Sequence, residues 1–288
     1  MAMLRRYGLL WLISILSVLF LAPGFVHSGG PSVYYTDKVA VLAYHHIDDD
    51  QRGDVTITSK RFREQLRDLR NRGYHFITLR EFRSFMKGGS IPPNSVLVTF
   101  DDGYESFYTK AFPILKEMRV PAVNFVITED LDHPDRTLIP TLSREQIRRM
   151  ISEMKEIEVE CHSDSLHGRT PDGGPLLTTK LPLAEGGFES DEQFERRIVS
   201  DTRRSLDKLS TLNDGPIDAY AYPFGAYNLR SIELLRQAGI QYAFTTQSGM
   251  AERGNDPFQI PRINAGSPYV RMNSLNNMII HKLYRVSP

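Results

Sequence analysis

Short runs of apolar and β-branched residues alternate along this chain with longer segments whose apolar residues recur at helical spacing. The short runs predict buried strands at residues 39–44, 75–79, 96–100, 123–127, 157–161, 219–222 and 242–245. Helices are predicted between them, with Ser59, Ser143 and Ser190 as caps and with Gly73 and Gly239 as helix ends. This alternation, without an internal repeat or a long dividing linker, predicts a single α/β domain. Its expected fold is a distorted (β/α) barrel of seven or eight parallel strands.

Polar side chains follow several of these strands at the point where each strand ends. Asp101 and Asp102 come directly after the strand at 96–100, His45 after the first strand and His162 after the strand at 157–161. The strand at 219–222 runs into Pro223-Phe224-Gly225. The carboxyl ends of parallel strands meet on one rim of a barrel, which is where the chemistry of such folds collects. We therefore expect these residues to form one site.

Two imidazoles and one carboxylate, from His162, His167 and Asp102, form a plausible ligand set for a divalent metal ion. The two histidines are five positions apart, so a loop rather than one helix face must bring them together. Each residue alone also fits a structural role, as a hydrogen-bonded histidine or an Asx-turn. Their joint position on one predicted rim favours a catalytic metal site.

Composition and charge narrow the class of partner. The chain has 288 residues, 41% of them hydrophobic, which is enough to bury a full core. Its 35 lysines and arginines equal its 35 aspartates and glutamates, so no net field attracts nucleic acid and a neutral or mixed-charge partner is expected. The single cysteine, Cys161, leaves no disulfide framework and is predicted to be a buried thiol.

The N-terminal sequence has the pattern of an export signal. Arg5 and Arg6 precede an apolar run over residues 8–26, and the small residues that follow suit cleavage before Gly29. We predict a signal peptide at 1–28, a linker at 29–38 and the globular domain at 39–288. Alternatively, residues 8–26 remain as an uncleaved membrane anchor, since the run is nearly long enough to span a bilayer. Both alternatives place the domain outside the cytoplasm, in the periplasm, at the cell surface or in the medium.

The segment Thr99–Tyr104, with the sequence TFDDGY, resembles the first motif of the polysaccharide deacetylases that share the chitooligosaccharide-deacetylase (NodB) homology domain, carbohydrate esterase family 4. The resemblance implies that Asp101 is the general base and that Asp102 binds the metal. His162 and His167 match the metal ligands of the second motif. Their spacing is similar to that in the poly-N-acetylglucosamine deacetylases of biofilm systems. The resemblance covers roughly residues 39–265.

The segment Tyr220–Gly225 looks like the third motif of that family, which shapes the wall of the substrate groove. The family usually has an arginine there that contacts the catalytic base, and Ala221 stands in its place. Arg262 is a candidate to supply that support from elsewhere in the chain. The predicted substrate contacts are Tyr104, Tyr222, Pro223, Phe224 and Gly225.

The general acid of the family is a histidine that normally lies on a late strand. Here Leu42-Ala43-Tyr44-His45 lies on the first strand, as in the biofilm deacetylases with permuted motif order, and a closed barrel makes first and last strands neighbours. His45 is therefore the predicted acid, and His46 is expected to point away from it. His281 is the alternative in the unpermuted order, although its surroundings predict an ordinary terminal helix.

The resemblance implies a metal-dependent hydrolase that removes N-acetyl groups from an N-acetylglucosamine-containing exopolysaccharide such as poly-N-acetylglucosamine. Zn²⁺ is the expected metal, and Co²⁺, Ni²⁺ or Fe²⁺ are alternatives. The expected partner is a glycan, and no nucleic acid is expected. Alternative functions are a peptidoglycan N-acetylglucosamine deacetylase, a non-carbohydrate amide hydrolase and a glycan-binding domain without catalysis. Ala221 favours the binding domain, whereas the presence of both acids and both histidines opposes it.

Overall fold

The computed structural model describes residues 32–270 and 274–284. Its strands are β1 Lys38–Tyr44, β2 His46–Ile47, β3 Thr56–Ile57, β4 His75–Phe76, β5 Ser95–Phe100, β6 Ala122–Val126, β7 Ile157–Cys161, β8 Ala219–Ala221, β9 Tyr242–Phe244, β10 Ala251–Glu252 and β11 Ile263–Asn264. Its α-helices are α1 Ser59–Asn71, α2 Leu79–Met86, α3 Phe112–Met118, α4 Arg144–Glu153, α5 Asp191–Ser210, α6 Leu229–Ala238 and α7 Ser274–Tyr284. A π-helical turn, Phe107–Ala111, precedes α3, where the sequence predicts a disturbance by Pro113.

The main sheet curls through parallel neighbours in the order β1, β5, β6, β7, β8, β9. The chain segment 260–264 lies between the two ends of this series. Ile260 bridges to Phe244 of β9, and β11 pairs in parallel with Leu42 and Ala43 of β1. The sequence-based prediction of a distorted parallel barrel is confirmed. The closing position is filled by a short, irregular segment, which explains why its periodicity is weak in the sequence.

Alternation along the strands divides the core into an inner and an outer layer. Val39, Val41 and Leu97 belong to the inner apolar cluster, together with Phe82 and Phe85 of α2. Their neighbours in the strands, such as Leu42 and Val98, belong to the outer cluster with residues of the surrounding helices. Helix α2 thus fills the barrel from the amino ends of the strands. The opposite rim is left free for the polar residues that follow the strands.

Helix ends follow the chemistry of the capping residues. Ser143 and Ser190 each accept a hydrogen bond from the third residue of the following helix and form complete capping boxes, as predicted. Gly239 ends α6 in the left-handed conformation, with φ of 117°. The predicted start of α1 is wrong by one position, because the hydroxyl of Thr58 rather than Ser59 accepts from the backbone of the first turn. The strand predicted at 75–79 is shortened to β4, because Thr78 already caps α2.

The N-terminal predictions fall largely outside the described residues. The proposed signal or anchor at 1–28 and the first part of the linker precede residue 32, where the description begins. Within the described ranges, the helices are all too short or too polar to cross a membrane. Cys161 is buried with a free thiol, as predicted, and burial raises the pKa of that thiol to about 12.

Candidate active site

Strand β5 delivers two adjacent carboxylates into different surroundings. The amide of Asp101 still donates to the carbonyl of Tyr44 in β1, at 2.9 Å, so the β5 ladder continues to this residue. Asp102 then adopts a left-handed conformation with φ of 72°, which turns the chain at the rim. At Gly103, φ is 70° and a Cβ would lie 2.9 Å from a methyl of Val126, so only glycine fits without displacement. The sharp turn separates the environments of the two acids.

Asp102, His162 and His167 form one compact group of potential ligand atoms. Oδ1 of Asp102 lies 3.2 Å from Nε2 of His162 and 3.3 Å from Nε2 of His167. One ligand atom from each residue lies within 4.8 Å of the other two. Strand β7 carries His162 to the rim, and the irregular segment that follows brings His167 back beside it. The expected meeting of these three residues is therefore seen in the structure.

The hydrogen bonding of His162 fits a cation between it and Asp102. Nδ1 of His162 lies 2.7 Å from the carbonyl oxygen of Ala221, which fixes the proton on Nδ1 because a carbonyl only accepts. In the neutral ring, the lone pair of Nε2 then faces a carboxylate oxygen, an arrangement that needs a proton or a metal ion between the two atoms. A buried histidine oriented by a backbone carbonyl is typical of metal ligands. The donor set therefore suits a divalent metal ion.

Burial and hydrogen bonding change the pKa of Asp102 in opposite directions. Burial raises the pKa of its carboxyl, but the hydrogen bonds from His162 and His167 and the positive charge of His162 and His45 outweigh this effect and hold the pKa well below its ordinary value. Asp102 is thus an ionised carboxylate beside two imidazoles. Such a group supplies one anionic ligand and two neutral ones and leaves other coordination positions free.

Asp101 is bound by Arg262 rather than by the histidine pair. The two terminal nitrogens of Arg262 donate to the two carboxylate oxygens of Asp101, each at 2.7 Å. Nε of Arg262 donates to the carbonyl of Thr245 at 2.9 Å, which fixes the plane of the guanidinium. Burial raises the pKa of Asp101, but Arg262 outweighs burial, so the pKa is lowered. Arg262 thus contacts Asp101, as expected of the candidate support for this acid, and it reaches Asp101 from the segment that closes the barrel.

His45 faces Asp101 at the carboxyl end of β1. Its Nε2 lies 3.7 Å from Oδ2 of Asp101, and 22% of its side chain is exposed. His46 lies apart, with Nδ1 2.9 Å from the hydroxyl of Ser106, in agreement with its predicted orientation. His281 is exposed on α7. Of the two histidines considered as the acid, the structure places His45 beside Asp101.

A cavity of about 340 Å³ lies against the histidine and aspartate group. Asp102 and His167 form one part of its lining, and Tyr104, Thr141 and Leu138 form another. Leu138 is fully exposed at the edge of this cavity. A volume of this size lies at the lower end of the usual range of small-ligand pockets, about 300–1,000 Å³.

The third motif forms a wall beside His167. Phe224 adopts a left-handed conformation with φ of 58°, is 44% exposed and has its ring centroid 4.5 Å from that of His167. At Gly225, φ is 68° and a Cβ would overlap the side chain of Thr246. A strained backbone at a rim is typical of functional sites. The strain here aims an aromatic ring at the site.

The prediction that Tyr222 contacts substrate needs correction. Its side chain is 1% exposed, and its hydroxyl donates to the carbonyl of Phe258 at 2.9 Å. Ala221 belongs to the inner cluster and Tyr222, its neighbour in the chain, to the outer cluster, so this ring has no free surface for a sugar. Pro223 is likewise buried, whereas Phe224 and Tyr104 retain accessible surface.

Two residues next to the site belong to none of the motifs recognised in the sequence. The guanidinium of Arg169 lies 4.3 Å from the centroid of Phe224, on the ring that also contacts His167. Asp201, in α5, is buried against the chain between His162 and His167. A sequence signal exists only for the second residue, because Asp201, Arg204 and Lys208 recur on one helix face.

Comparison with known proteins agrees with this architecture. The sequence profile of a family described as polysaccharide deacetylase matches residues 88–243. The poly-beta-1,6-N-acetyl-D-glucosamine N-deacetylase of Staphylococcus epidermidis is 28% identical over 211 residues, which are 73% of this chain and 68% of that protein. The solved structure of IcaB from Ammonifex degensii is 28% identical, with a TM-score of 0.68 over 80% of this chain and 92% of that one.

A de-N-acetylase from Aggregatibacter actinomycetemcomitans shares the fold, with a TM-score of 0.75, 24% identity and coverage of 84% of this chain and 100% of that chain. The family profile spans more than half of the present chain and includes the two acids, both histidines and the third motif. The chain therefore belongs to the polysaccharide deacetylase family.

Proposed function

We propose that this protein is a metal-dependent hydrolase that removes N-acetyl groups from an N-acetylglucosamine-containing exopolysaccharide such as poly-N-acetylglucosamine. Membership of the polysaccharide deacetylase family supports the reaction, and the names of the relatives support the substrate. The observation that carries the proposal is the position of Asp101 and His45 beside the group of Asp102, His162 and His167 on one rim.

Asp102, His162 and His167 are the residues that we assign to the metal. Two imidazole nitrogens and one carboxylate oxygen, with positions left open, are typical of catalytic zinc, so we propose Zn²⁺, with Co²⁺, Ni²⁺ or Fe²⁺ as alternatives. When bound, such an ion lowers the pKa of a water ligand and polarises the acetyl carbonyl. The carbonyl of Ala221 orients His162 for this role.

Asp101 is the proposed general base. It accepts a proton from the attacking water, and Arg262 keeps its carboxylate ionised and in a fixed orientation. His45 is the proposed general acid, and it donates a proton to the nitrogen that leaves as an amine. The products are acetate and a free glucosamine amine. The 3.7 Å separation of His45 and Asp101 allows both groups to act at the same point of the rim.

Phe224 and Tyr104 are the proposed aromatic contacts to the sugar. Phe224 offers an exposed ring beside His167, and Tyr104 lines the cavity beside Asp102. Aromatic faces of this kind bury the apolar side of a sugar ring. Pro223 and Gly225 contribute by fixing the backbone that presents Phe224, and Tyr222 anchors that backbone in the core.

We further propose that the enzyme acts outside the cytoplasm, in the periplasm, at the cell surface or in the medium. This proposal rests on the N-terminal sequence pattern, with a signal peptide at 1–28 or a membrane attachment through residues 8–26. Cell fractionation followed by N-terminal sequencing of the mature protein separates the two alternatives. A soluble cytoplasmic protein that starts at residue 1 would contradict both.

The test of the proposed function is acetate release from purified poly-N-acetylglucosamine and from peptidoglycan. We expect release from the first polymer, loss of release after treatment with a chelator and recovery when Zn²⁺ or Co²⁺ is added. A His162→Ala variant should stay inactive at every metal concentration that restores the wild type. Release from peptidoglycan alone would favour the peptidoglycan deacetylase. Binding of glycan without any release would favour a binding domain.

A further inference from the structure

The chain between the two histidine ligands forms no helix or strand, so it needs support from neighbouring elements. Residues 163–166 join His162 at the end of β7 to His167, and Ser163 has a left-handed backbone with φ of 78°. We call residues 162–167 the ligand loop. A displacement of this loop by a fraction of an ångström changes the separation of the two imidazoles. What holds the loop therefore determines the geometry of the proposed metal site.

Asp201 of α5 holds the middle of the ligand loop through both of its carboxylate oxygens. Oδ1 accepts from the amide of Asp164 at 3.0 Å, and Oδ2 accepts from the amide and the hydroxyl of Ser165, each at 2.8 Å. Asp201 is 3% exposed, so water does not replace these bonds. One buried side chain therefore supplies the acceptors for two consecutive backbone amides.

Asp164, within the loop, adds a second set of contacts through its own side chain. Its carboxylate accepts from the hydroxyl of Thr128 at 2.6 Å and from Lys208 at 2.7 Å through one oxygen, and from Arg204 at 3.0 Å through the other. The backbone takes part as well, because the amide of Thr128 donates to the carbonyl of Ser163 at 3.1 Å. The loop is thus tied both to α5 and to the segment that follows β6.

The side chains that α5 contributes lie on one face of the helix. Asp201, Arg204 and Lys208 are spaced by three and four residues, so they follow one another along the helix surface. The helix is 20 residues long and starts with a complete capping box. It is therefore a rigid support for the loop. The two acids, Asp164 and Asp201, are balanced by the two bases, so the cluster carries no net charge.

We propose that Asp201 is a positioning residue that holds the ligand loop and thereby sets the affinity and the geometry of the metal site. Asp201 touches neither metal ligand side chain and acts through the backbone at Asp164 and Ser165. This inference rests on the proposed assignment of His162 and His167 as ligands. Outer residues that orient metal ligands typically change metal affinity about 10–100-fold when they are replaced.

The test is the metal affinity of Asp201→Asn and Asp201→Ala, measured by competition with a chromogenic chelator for Zn²⁺ and Co²⁺. Asn keeps the volume and one acceptor oxygen, but its NH₂ group opposes a backbone N–H. We expect the affinity of Asp201→Asn to fall about tenfold or more, within the range known for such residues. The visible spectrum of the Co²⁺ form should change as well, because it reports the arrangement of the ligands.

Thr202→Val is the matched control. Thr202 is buried in the same helix, and its hydroxyl donates to the carbonyl of Ile198 within α5 rather than to the ligand loop. We expect this variant to bind both metals as the wild type does. The inference is overturned if Asp201→Asn binds metal as tightly as the wild type and has the same Co²⁺ spectrum. It is also overturned if Asp201→Asn and Thr202→Val lose metal affinity equally, because equal losses would indicate general destabilisation.

The same experiment separates this inference from the proposed function. A wild-type protein that binds neither Zn²⁺ nor Co²⁺ at a single site would overturn both. A wild-type protein that binds metal, and loses it in Asp102→Ala but not in Asp201→Asn, would overturn only the role of Asp201. Should Asp201→Ala fail to fold, Asp201→Asn decides the question, since it preserves the packing volume.

Discussion

Arg262 binds both carboxylate oxygens of Asp101 through two nitrogen–oxygen contacts of 2.7 Å, across 161 positions of the sequence. The pair is buried, and a third nitrogen of the same guanidinium is held by the carbonyl of Thr245. Two parallel N–H donors on a planar cation fix the orientation of a carboxylate and also stabilise its negative charge. Arg262 therefore holds the proposed general base, Asp101, ionised and in one orientation, although Ala221 stands where the family usually has its arginine.

Replacement of Arg262 by methionine should lower kcat/KM and move the acid limb of its pH profile to higher pH. Arg262 holds the pKa of Asp101 below its ordinary value, so its removal raises that pKa and the base is ionised only at higher pH. The profile of kcat/KM against pH, measured by acetate release, checks this. Arg262→Lys should restore the pH of the acid limb more completely than it restores kcat/KM, because lysine supplies the positive charge but not the two parallel N–H donors. An unshifted limb in Arg262→Met would contradict the role of Arg262.

The Asp101→Asn variant should lose activity while it keeps metal. A general base typically contributes about 10²–10⁴-fold to the rate, and an amide cannot take the proton. Asp101 lies outside the group of three potential ligands, so its replacement should leave Zn²⁺ affinity within a fewfold of the wild type. Asp102→Asn is the matched comparison, since it should reduce both acetate release and Zn²⁺ affinity. Unchanged acetate release by Asp101→Asn would defeat the assignment of the base.

Loss of His45 should matter most for poor leaving groups. An amine must be protonated as it departs, whereas an activated phenolate leaves without help, so His45→Gln should lower amide hydrolysis about 10²-fold or more. Hydrolysis of an activated aryl acetate should fall much less. His281→Gln, an exposed change on α7, should leave both rates unaltered. A large loss in His281→Gln with full activity in His45→Gln would reverse the assignment of the acid.

Arg83 of α2 should be essential for stability rather than for catalysis. Its guanidinium contacts Glu158 and Asp218 at 2.8 Å each, and also Glu160, which is fully buried. Arg83→Met leaves Glu158 and Asp218 without their cation, and removal of one partner from a buried ion pair costs about 3–5 kcal/mol. Urea unfolding at fixed pH measures this loss. An average point mutation costs about 1 kcal/mol. If Arg83→Met lowers the free energy of unfolding by no more than that, α2 does not depend on the ion pair.

The pKa of Glu160 determines how the free energy of unfolding changes with pH. Burial raises the pKa of Glu160 well above its ordinary value, so the folded state retains a proton that the unfolded state releases. The stability contributed by this proton is fully present below the unfolded pKa and is lost as pH rises through the folded one. The positive charge of Arg83 lowers the pKa of Glu160, so Arg83→Met should raise that pKa further. The variant should therefore lose more stability than the wild type as pH rises. The stability difference between wild type and variant, measured by urea unfolding over a series of pH values, should therefore grow as pH rises. A difference that stays constant over the whole series would contradict this.

The sequence by itself determined the main parallel strands of the sheet, the starts of α4 and α5 and the residue types at the strand ends. Ser143 and Ser190 cap helices as predicted, because capping depends on a few neighbouring residues. The ligand set of Asp102, His162 and His167 was also accessible, since parallel strands must end on one rim. These features are local or follow from a rule of topology.

Only the tertiary structure decided which distant residues meet and which side chains remain exposed. Arg262 reaches Asp101 because an irregular segment closes the barrel between β9 and β1. Tyr222 lies in the core, while its near neighbour Phe224 reaches the rim through a strained turn. Asp201 meets the ligand loop because α5 packs beside β7. Each of these outcomes depends on the packing of elements far apart in sequence, where no local period specifies the contact.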